Sequence, residues 1–146
     1  MPLLDEHLDK ASHNEQFYGQ FDIDTTAFLD WVVTGLFYCA LHYIDAYLAT
    51  KDIHPKKHAG PNSRNDSVEH MPEFHSIWPQ YRALYDDSRD ARYGFHPFGM
   101  RQFSAYEVVQ LRDSDLATLR THILQLPGMT FDKELGENNG SEHREV

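Results

Sequence analysis

The stretch AFLDWVVTGLFYCALHYIDAYLA, residues 27–49, decides the fold of this chain. Apolar side chains occupy nearly every side of the helix that this stretch would form, which is the pattern of a central, mostly buried helix. Asp24 or Thr25 can cap its start. The single cysteine, Cys39, falls inside this helix and is predicted to be a core residue.

Further segments on both sides have the apolar period of helices that pack on a core. The last of them opens with Ser104-Ala105-Tyr106-Glu107, a capping box. Together with the central helix they predict an all-α domain, a four- to five-helix bundle over residues 1–127. The additional helices are predicted at residues 3–18, 63–70, 78–93 and 104–126.

Charge and composition restrict the classes of function. A net charge of -10 over 146 residues argues against a general DNA or RNA coat protein, whose affinity comes from neutralising phosphates. Residues 128–146 are acidic and poor in large apolar side chains, so they are predicted to be a disordered tail. One cysteine, no basic-then-apolar leader and no bilayer-length apolar run predict a cytoplasmic, soluble protein without a membrane partner.

A polar stripe runs along the central helix at spacings of four and three residues, which place its members on one face. A phenol, an imidazole and a carboxylate in such a line can do acid–base work in a cleft. The alternative is a solvated strip, or buried polar groups satisfied by hydrogen bonds. The stripe consists of Asp30, Thr34, Tyr38, His42 and Asp45.

A second candidate site lies at the end of the helix over residues 78–93. Arg89 can hold a phosphate with its planar fork, and His96 can move a proton near neutral pH. Arg92 falls on the apolar face, where a buried arginine needs a partner such as Asp45 or Asp30. The alternative is an ordinary charged helix surface followed by a loop histidine.

A third candidate is the basic segment after the central helix, whose histidines and cations could bind phosphate; otherwise it is a solvated loop. The 10 histidines of the chain also raise the question of a metal. No helical His-x3-His with a nearby carboxylate and no cysteine pair is present, so we predict neither a metal site nor a cofactor. The segment contains His54, Lys56, Lys57, His58 and Arg64.

The order and spacing of these elements from Leu3 to Leu126 resemble the HEPN-domain superfamily of helical proteins. The resemblance is carried by WVVTGLFYCALHY at residues 31–43, by the histidines and arginine of the basic segment, and by SRDARY at residues 88–93. It implies a helical bundle that is usually a homodimer. Many active members are metal-independent endoribonucleases with an arginine, a polar residue and, after a short gap, a histidine.

Two functions follow from the resemblance. In the first, Arg89, Asp90 and His96 form the catalytic set of a metal-independent endoribonuclease of toxin or defence type. The second is a non-catalytic module that binds a nucleotide or a protein and dimerises. Some relatives pair with a nucleotidyltransferase antitoxin, which is the implied partner besides RNA. The residues expected to bind substrate are Tyr38, His42, His58, Arg64 and Arg92.

Overall fold

The computed structural model describes residues 2–96 and 99–129, and it confirms the all-α fold with five helices in that part of the chain. A two-residue antiparallel hairpin follows the fourth helix. The last helix changes to π-helical geometry in its middle and back again. The elements are α1 (Leu4–Tyr18), α2 (Leu29–Thr50), α3 (Arg64–His70), a 3₁₀ segment (Pro72–Ile77), α4 (Trp78–Tyr93), β1 (Phe95–His96), β2 (Gly99–Met100) and α5 (Ala105–Gln110, π-helical Leu111–Leu116, Ala117–Leu124).

Helix α2 is the centre of the bundle, as predicted, and packs against α1, α4 and α5. Most of its apolar side chains are fully buried, among them Phe37, Ile44 and Leu48. Among the described helices it alone is long and apolar enough to cross a membrane, but 78% of its most apolar window is buried in the fold. The core helix of a soluble protein has the same character.

Glycine at position 35 lets α1 approach α2 closely. A Cβ there would lie 3.2 Å from Phe17 Cδ2 and 3.3 Å from Tyr18 Cβ, which is tighter than ordinary van der Waals contact. Cys39, one helical turn further on, is buried, and its thiol donates to the carbonyl oxygen of Ala11 on α1. Burial raises the pKa of this thiol to about 12, in keeping with a core residue.

The predicted starts of α3 and α5 match the structure, whereas the predicted start of α2 does not. The Ser63 and Ser104 side chains accept from backbone N–H groups in the first turns of α3 and α5. The prediction that Asp24 or Thr25 caps α2 is wrong. The chain makes a turn at that point, and the helix begins only after Phe28, whose N–H donates to the Thr26 hydroxyl.

Two further features lie where α4 ends and where the described chain leaves α5. Gly94 ends α4 by donating its N–H to the carbonyl oxygen of Asp90, and a Cβ at Gly94 would lie only 2.7 Å from that oxygen. The chain therefore turns sharply into β1. At the other end, Met129 is buried in the core although the sequence places it after the domain boundary at residue 127. The remainder of the predicted tail lies outside the described residues.

Candidate functional site

The polar stripe of α2 is present as one line of side chains, and its two halves have different surroundings. Asp30, Thr34 and Tyr38, in the first half, line an open cleft between α2, the end of α4 and the hairpin. His42 and Asp45, in the second half, contact other helices and loops inside the fold. The stripe therefore joins a solvent-facing cleft to a buried polar network.

The cleft has a volume of about 470 Å³, which is within the usual range of ligand pockets. The cleft walls come from three parts of the chain that are far apart in sequence. Helix α2 supplies one wall, the last turn of α4 supplies the second, and the hairpin supplies the third. The lining residues are Asp30, Trp31, Thr34, Tyr38, Ala91, Arg92, Tyr93, Gly94, Met100 and Arg101.

Arg92 is half-buried in this cleft and has only neutral hydrogen-bond partners among the described residues. Its Nη1 donates to the Tyr38 hydroxyl at 2.8 Å, and its Nε donates to the carbonyl oxygen of Ser88 at 3.2 Å. The expectation that Asp45 or Asp30 pairs with Arg92 is wrong, because Asp45 is bound to another arginine. A guanidinium without a carboxylate in a partly buried site retains its attraction for an anion.

The neighbouring Arg101, unlike Arg92, lies beside carboxylates. Its Nη2 lies 2.7 Å from Glu107 Oε2, and its Nε lies 3.9 Å from Asp90 Oδ2. The ion pair with Glu107 raises the pKa of Arg101 and lowers that of Glu107. Arg92 is therefore the lining arginine whose charge is not compensated by a carboxylate within the described part of the chain.

Two exposed aromatic rings line the cleft together with Arg92. Trp31 on α2 is 55% exposed, and Tyr93 at the end of α4 is 69% exposed. The guanidinium carbon of Arg92 lies 5.1 Å from the centroid of the Tyr93 ring. Large aromatic faces in water beside an arginine are the pattern of surfaces that stack nucleic-acid bases.

A second cavity, of about 450 Å³, adjoins the cleft. The two cavities share Asp30, Trp31, Met100 and Arg101 as lining residues, so Trp31 belongs to both. A third cavity, beside α1 and α5, contains two arginines, but these pair with Glu15 and Asp113. The cleft and its neighbour thus offer a longer groove, in which Arg92 is the described arginine without a carboxylate partner.

The buried network begins with Asp45 and Arg64. Arg64 Nε and Nη2 each lie 2.7 Å from one oxygen of the Asp45 carboxylate, and both side chains are only 7% exposed. This bidentate pair is well formed because the planar fork of arginine matches a carboxylate. The sequence suggested Arg64 as a phosphate ligand, but its Nε and Nη2 donors are already bound to Asp45.

His58 continues the network toward the cleft. Arg64 Nη1 lies 3.0 Å from His58 Nδ1, and because a guanidinium can only donate, this ring nitrogen must be the acceptor. His58 is then neutral, with its proton on Nε2. Burial lowers its pKa, and the charges of Arg64 and Arg92 lower it further. Its ring lies 6.5 Å from that of Tyr38, between the network and the cleft.

His42 contacts a residue that the sequence did not single out. Its Nδ1 lies 3.1 Å from Nδ1 of His7 on α1, and both rings are half-buried. Burial lowers the pKa of His7, and it lowers the pKa of His42 to about 4. A signal for His7 did exist, because it lies three residues after Leu4 and four before Ala11 on the apolar face of α1.

The residues expected to be catalytic lie at the end of α4. Arg89 and Asp90 are exposed, and Arg89 lies over the Tyr85 ring rather than in the cleft. His96 lies beyond the helix, in β1, where it pairs with Gly99 of β2. For His96 only the backbone is described, so whether it meets an arginine stays a prediction.

Comparisons with known proteins give no relative of this chain. No protein-family model matches it, and neither the curated proteins nor the solved structures contain a match.

Proposed function

We propose that this chain is a HEPN-like helical protein that binds single-stranded RNA in the cleft around Arg92. The observation that carries the proposal is the half-buried guanidinium of Arg92, whose hydrogen-bond partners in the described chain are all neutral. An RNA phosphate supplies the anionic hydrogen-bond partner that Arg92 lacks among the described residues. The donors of Arg92 are already oriented by Tyr38 and Ser88, so little side-chain entropy is lost on binding.

The aromatic rings favour RNA over a free phosphate ion. Trp31 and Tyr93 present exposed faces on which successive bases can stack, and each stacked base contributes about 1–3 kcal/mol. The adjoining cavity extends the groove past Trp31, which suits a chain of nucleotides better than one nucleotide. Recognition through stacking and phosphate contacts is tolerant of sequence.

The net charge of -10 is compatible with this mode of binding. A protein that coats nucleic acid neutralises many phosphates, whereas among its described lining residues this cleft has a single arginine without a carboxylate partner. We therefore expect a shallow dependence of affinity on salt, with a slope near that of one phosphate contact. Stacking then supplies the larger share of the binding energy.

The experiment is a fluorescence anisotropy titration of a short, labelled, single-stranded oligoribonucleotide. Arg92→Ala should weaken binding by about 10- to 150-fold, the value of a hydrogen bond to a charged group. Arg82→Ala removes the same charge from an exposed ion pair with Asp86 on the same helix, so it is the matched control. Equal affinities for wild type and Arg92→Ala would refute the proposal.

RNA cleavage is the second candidate, and the position of His96 favours it. Its strand β1 is paired with β2, whose Met100 lines the cleft. In this hypothesis the ribose 2′-OH loses its proton and attacks the phosphorus, and the bond to the 5′ oxygen breaks. His96 moves the proton from the 2′-OH to the leaving 5′ oxygen. The arginine that meets the developing charge is then Arg92, which lines the cleft, or Arg89, which the sequence suggested.

Cleavage is tested by looking for products that end in a 2′,3′-cyclic phosphate. His96→Ala should lower the rate by roughly a hundredfold or more with binding retained. An intact RNA bound to the wild-type protein would leave binding as the function. The homodimer and the nucleotidyltransferase antitoxin stay predictions of the resemblance, and light scattering over a range of concentrations measures the first.

A further inference from the structure

A second cluster of polar side chains lies outside the cleft, where α1 meets the second half of α2. His7 Nδ1 and His42 Nδ1 are 3.1 Å apart. Asp45 follows His42 by three residues, on the same face of α2. One nitrogen of each histidine and one oxygen of Asp45 all lie within 4.8 Å of one another. Two imidazoles and a carboxylate from two helices therefore converge on one point.

The spacing of the two nitrogens matches the spacing of metal ligands. Zinc binds imidazole nitrogen at about 2.0–2.1 Å in tetrahedral geometry, which places two ligand nitrogens roughly 3.3 Å apart. The observed separation differs from this by a few tenths of an ångström. Carboxylate and two imidazoles are also a donor set that transition metals accept, whereas Mg²⁺ and Ca²⁺ prefer oxygen alone.

The three groups have lone pairs available for a metal. Both histidines are half-buried, and burial lowers the pKa of each, which favours the unprotonated imidazole that a metal needs. With a metal bound, each ring can carry its one proton on Nε2 and present Nδ1. The Asp45 carboxylate has about four lone-pair positions, of which the bidentate contact with Arg64 uses two. Arg64 then fixes the orientation of the carboxylate, as outer partners of metal ligands commonly do.

We propose that His7, His42 and Asp45 bind a divalent transition-metal ion, with water in the remaining coordination position. The ion would fasten α1 to α2 at a point where they otherwise share one imidazole–imidazole hydrogen bond. This site is separate from the RNA cleft, and the proposal does not depend on RNA binding. It departs from the sequence-based prediction of no metal site, because His7 is distant in sequence from the His42-x2-Asp45 pair.

The test is calorimetric titration of the untagged, full-length protein with Zn²⁺ after removal of metal by a chelator. We expect one high-affinity ion per chain and no comparable response to Mg²⁺. Loss of an outer partner of a metal ligand costs about 10–100-fold in affinity, so His7→Gln should cost at least about a hundredfold. His13→Gln is the matched control, since His13 is an exposed histidine of the same helix.

Substitution of Co²⁺ for Zn²⁺ gives a second, spectroscopic readout. The wild-type protein should develop visible absorption bands of a low-coordinate Co²⁺ site at one equivalent, and His42→Gln should abolish them. Asp45 is not substituted, because its removal would leave the buried Arg64 charge without a carboxylate partner. Absence of Zn²⁺ binding by the wild type, or equal affinity in His7→Gln and wild type, would overturn the proposal and leave a simple histidine hydrogen bond.

Discussion

Arg92 and Tyr38 lie 54 positions apart in the chain, and the guanidinium Nη1 donates to the phenol oxygen at 2.8 Å. This contact ties the last turn of α4 to the middle of α2 and holds the arginine at the wall of the cleft. It is also the point at which the cleft meets the buried network, because the ring of His58 lies next to that of Tyr38.

Tyr38→Phe tests whether this hydrogen bond holds the Arg92 guanidinium in the position that binds RNA. The substitution keeps the ring and removes the acceptor, so Arg92 loses one of its fixed partners. We expect the free energy of unfolding to fall by about 1 kcal/mol and RNA affinity to fall by less than in Arg92→Ala. Urea denaturation and the anisotropy titration measure the two effects. Unchanged affinity would mean that the cleft does not need this hydrogen bond.

Breaking the buried Asp45–Arg64 pair should destabilise the fold more than breaking an exposed ion pair. Arg64→Met leaves the Asp45 carboxylate buried without its partner, which should cost about 3–5 kcal/mol of stability. Arg82→Met breaks an exposed ion pair on α4 and should cost only about 0.3–0.5 kcal/mol. Urea unfolding in the presence of EDTA compares the two without a contribution from bound metal. Similar losses in both variants would show that the buried pair adds little.

His58 should make the protein less stable in mild acid. Burial, Arg64 and Arg92 lower its pKa below the ordinary value of 6.5, and Asp45 only partly opposes them. Below pH 6.5 the unfolded chain therefore binds a proton that the folded chain resists, so the free energy of unfolding falls as pH falls. One such group contributes a slope of up to about 1.4 kcal/mol per pH unit.

His58→Gln is the comparison for this effect, because its amide oxygen can still accept from Arg64 while the side chain does not titrate. Melting temperatures of both proteins from about pH 7 to about pH 5 should diverge, with the wild type falling more steeply. Parallel curves would show that His58 takes no part in the acid sensitivity.

Two expectations concern the stability contributed by the C-terminal part of the chain. Met129 is buried, so Met129→Ala should cost about 2–5 kcal/mol. By its composition, the segment from Asp132 onward has too little apolar surface to offset the entropy of ordering it. Truncation there should change the melting temperature by no more than about two degrees, and a drop of ~10 °C would show that it docks on the bundle.

Local sequence patterns were sufficient to predict the helices. The apolar residues on all sides of α2 and the capping box at Ser104 each depend on residues within one or two turns of each other. The start of α2 was predicted too early because Asp24 and Thr25 belong to a turn that precedes the helix. The π-helical part of α5 and the hairpin after Gly94 have no comparable local pattern.

The partners of the polar residues were harder to predict, since they depend on how helices meet. The stripe on α2 was visible from its spacing, but Arg92 could not be assigned to Tyr38 rather than to Asp45 without the packing of α4. His7 was missed for the same reason. Its importance depends on one contact with His42 across the α1–α2 interface, and a single histidine on an apolar face is usually only a core residue.

The most direct test of the account is an NMR titration of the two tryptophan indole N–H signals with single-stranded RNA. Trp31 lines the cleft, whereas Trp78 lies at the start of α4, outside it, and serves as the internal reference. We predict that the Trp31 signal shifts or broadens as RNA is added, that the Trp78 signal stays in place, and that Arg92→Ala suppresses the change. RNA binding that leaves Trp31 unmoved would contradict the assignment of this cleft as the RNA site.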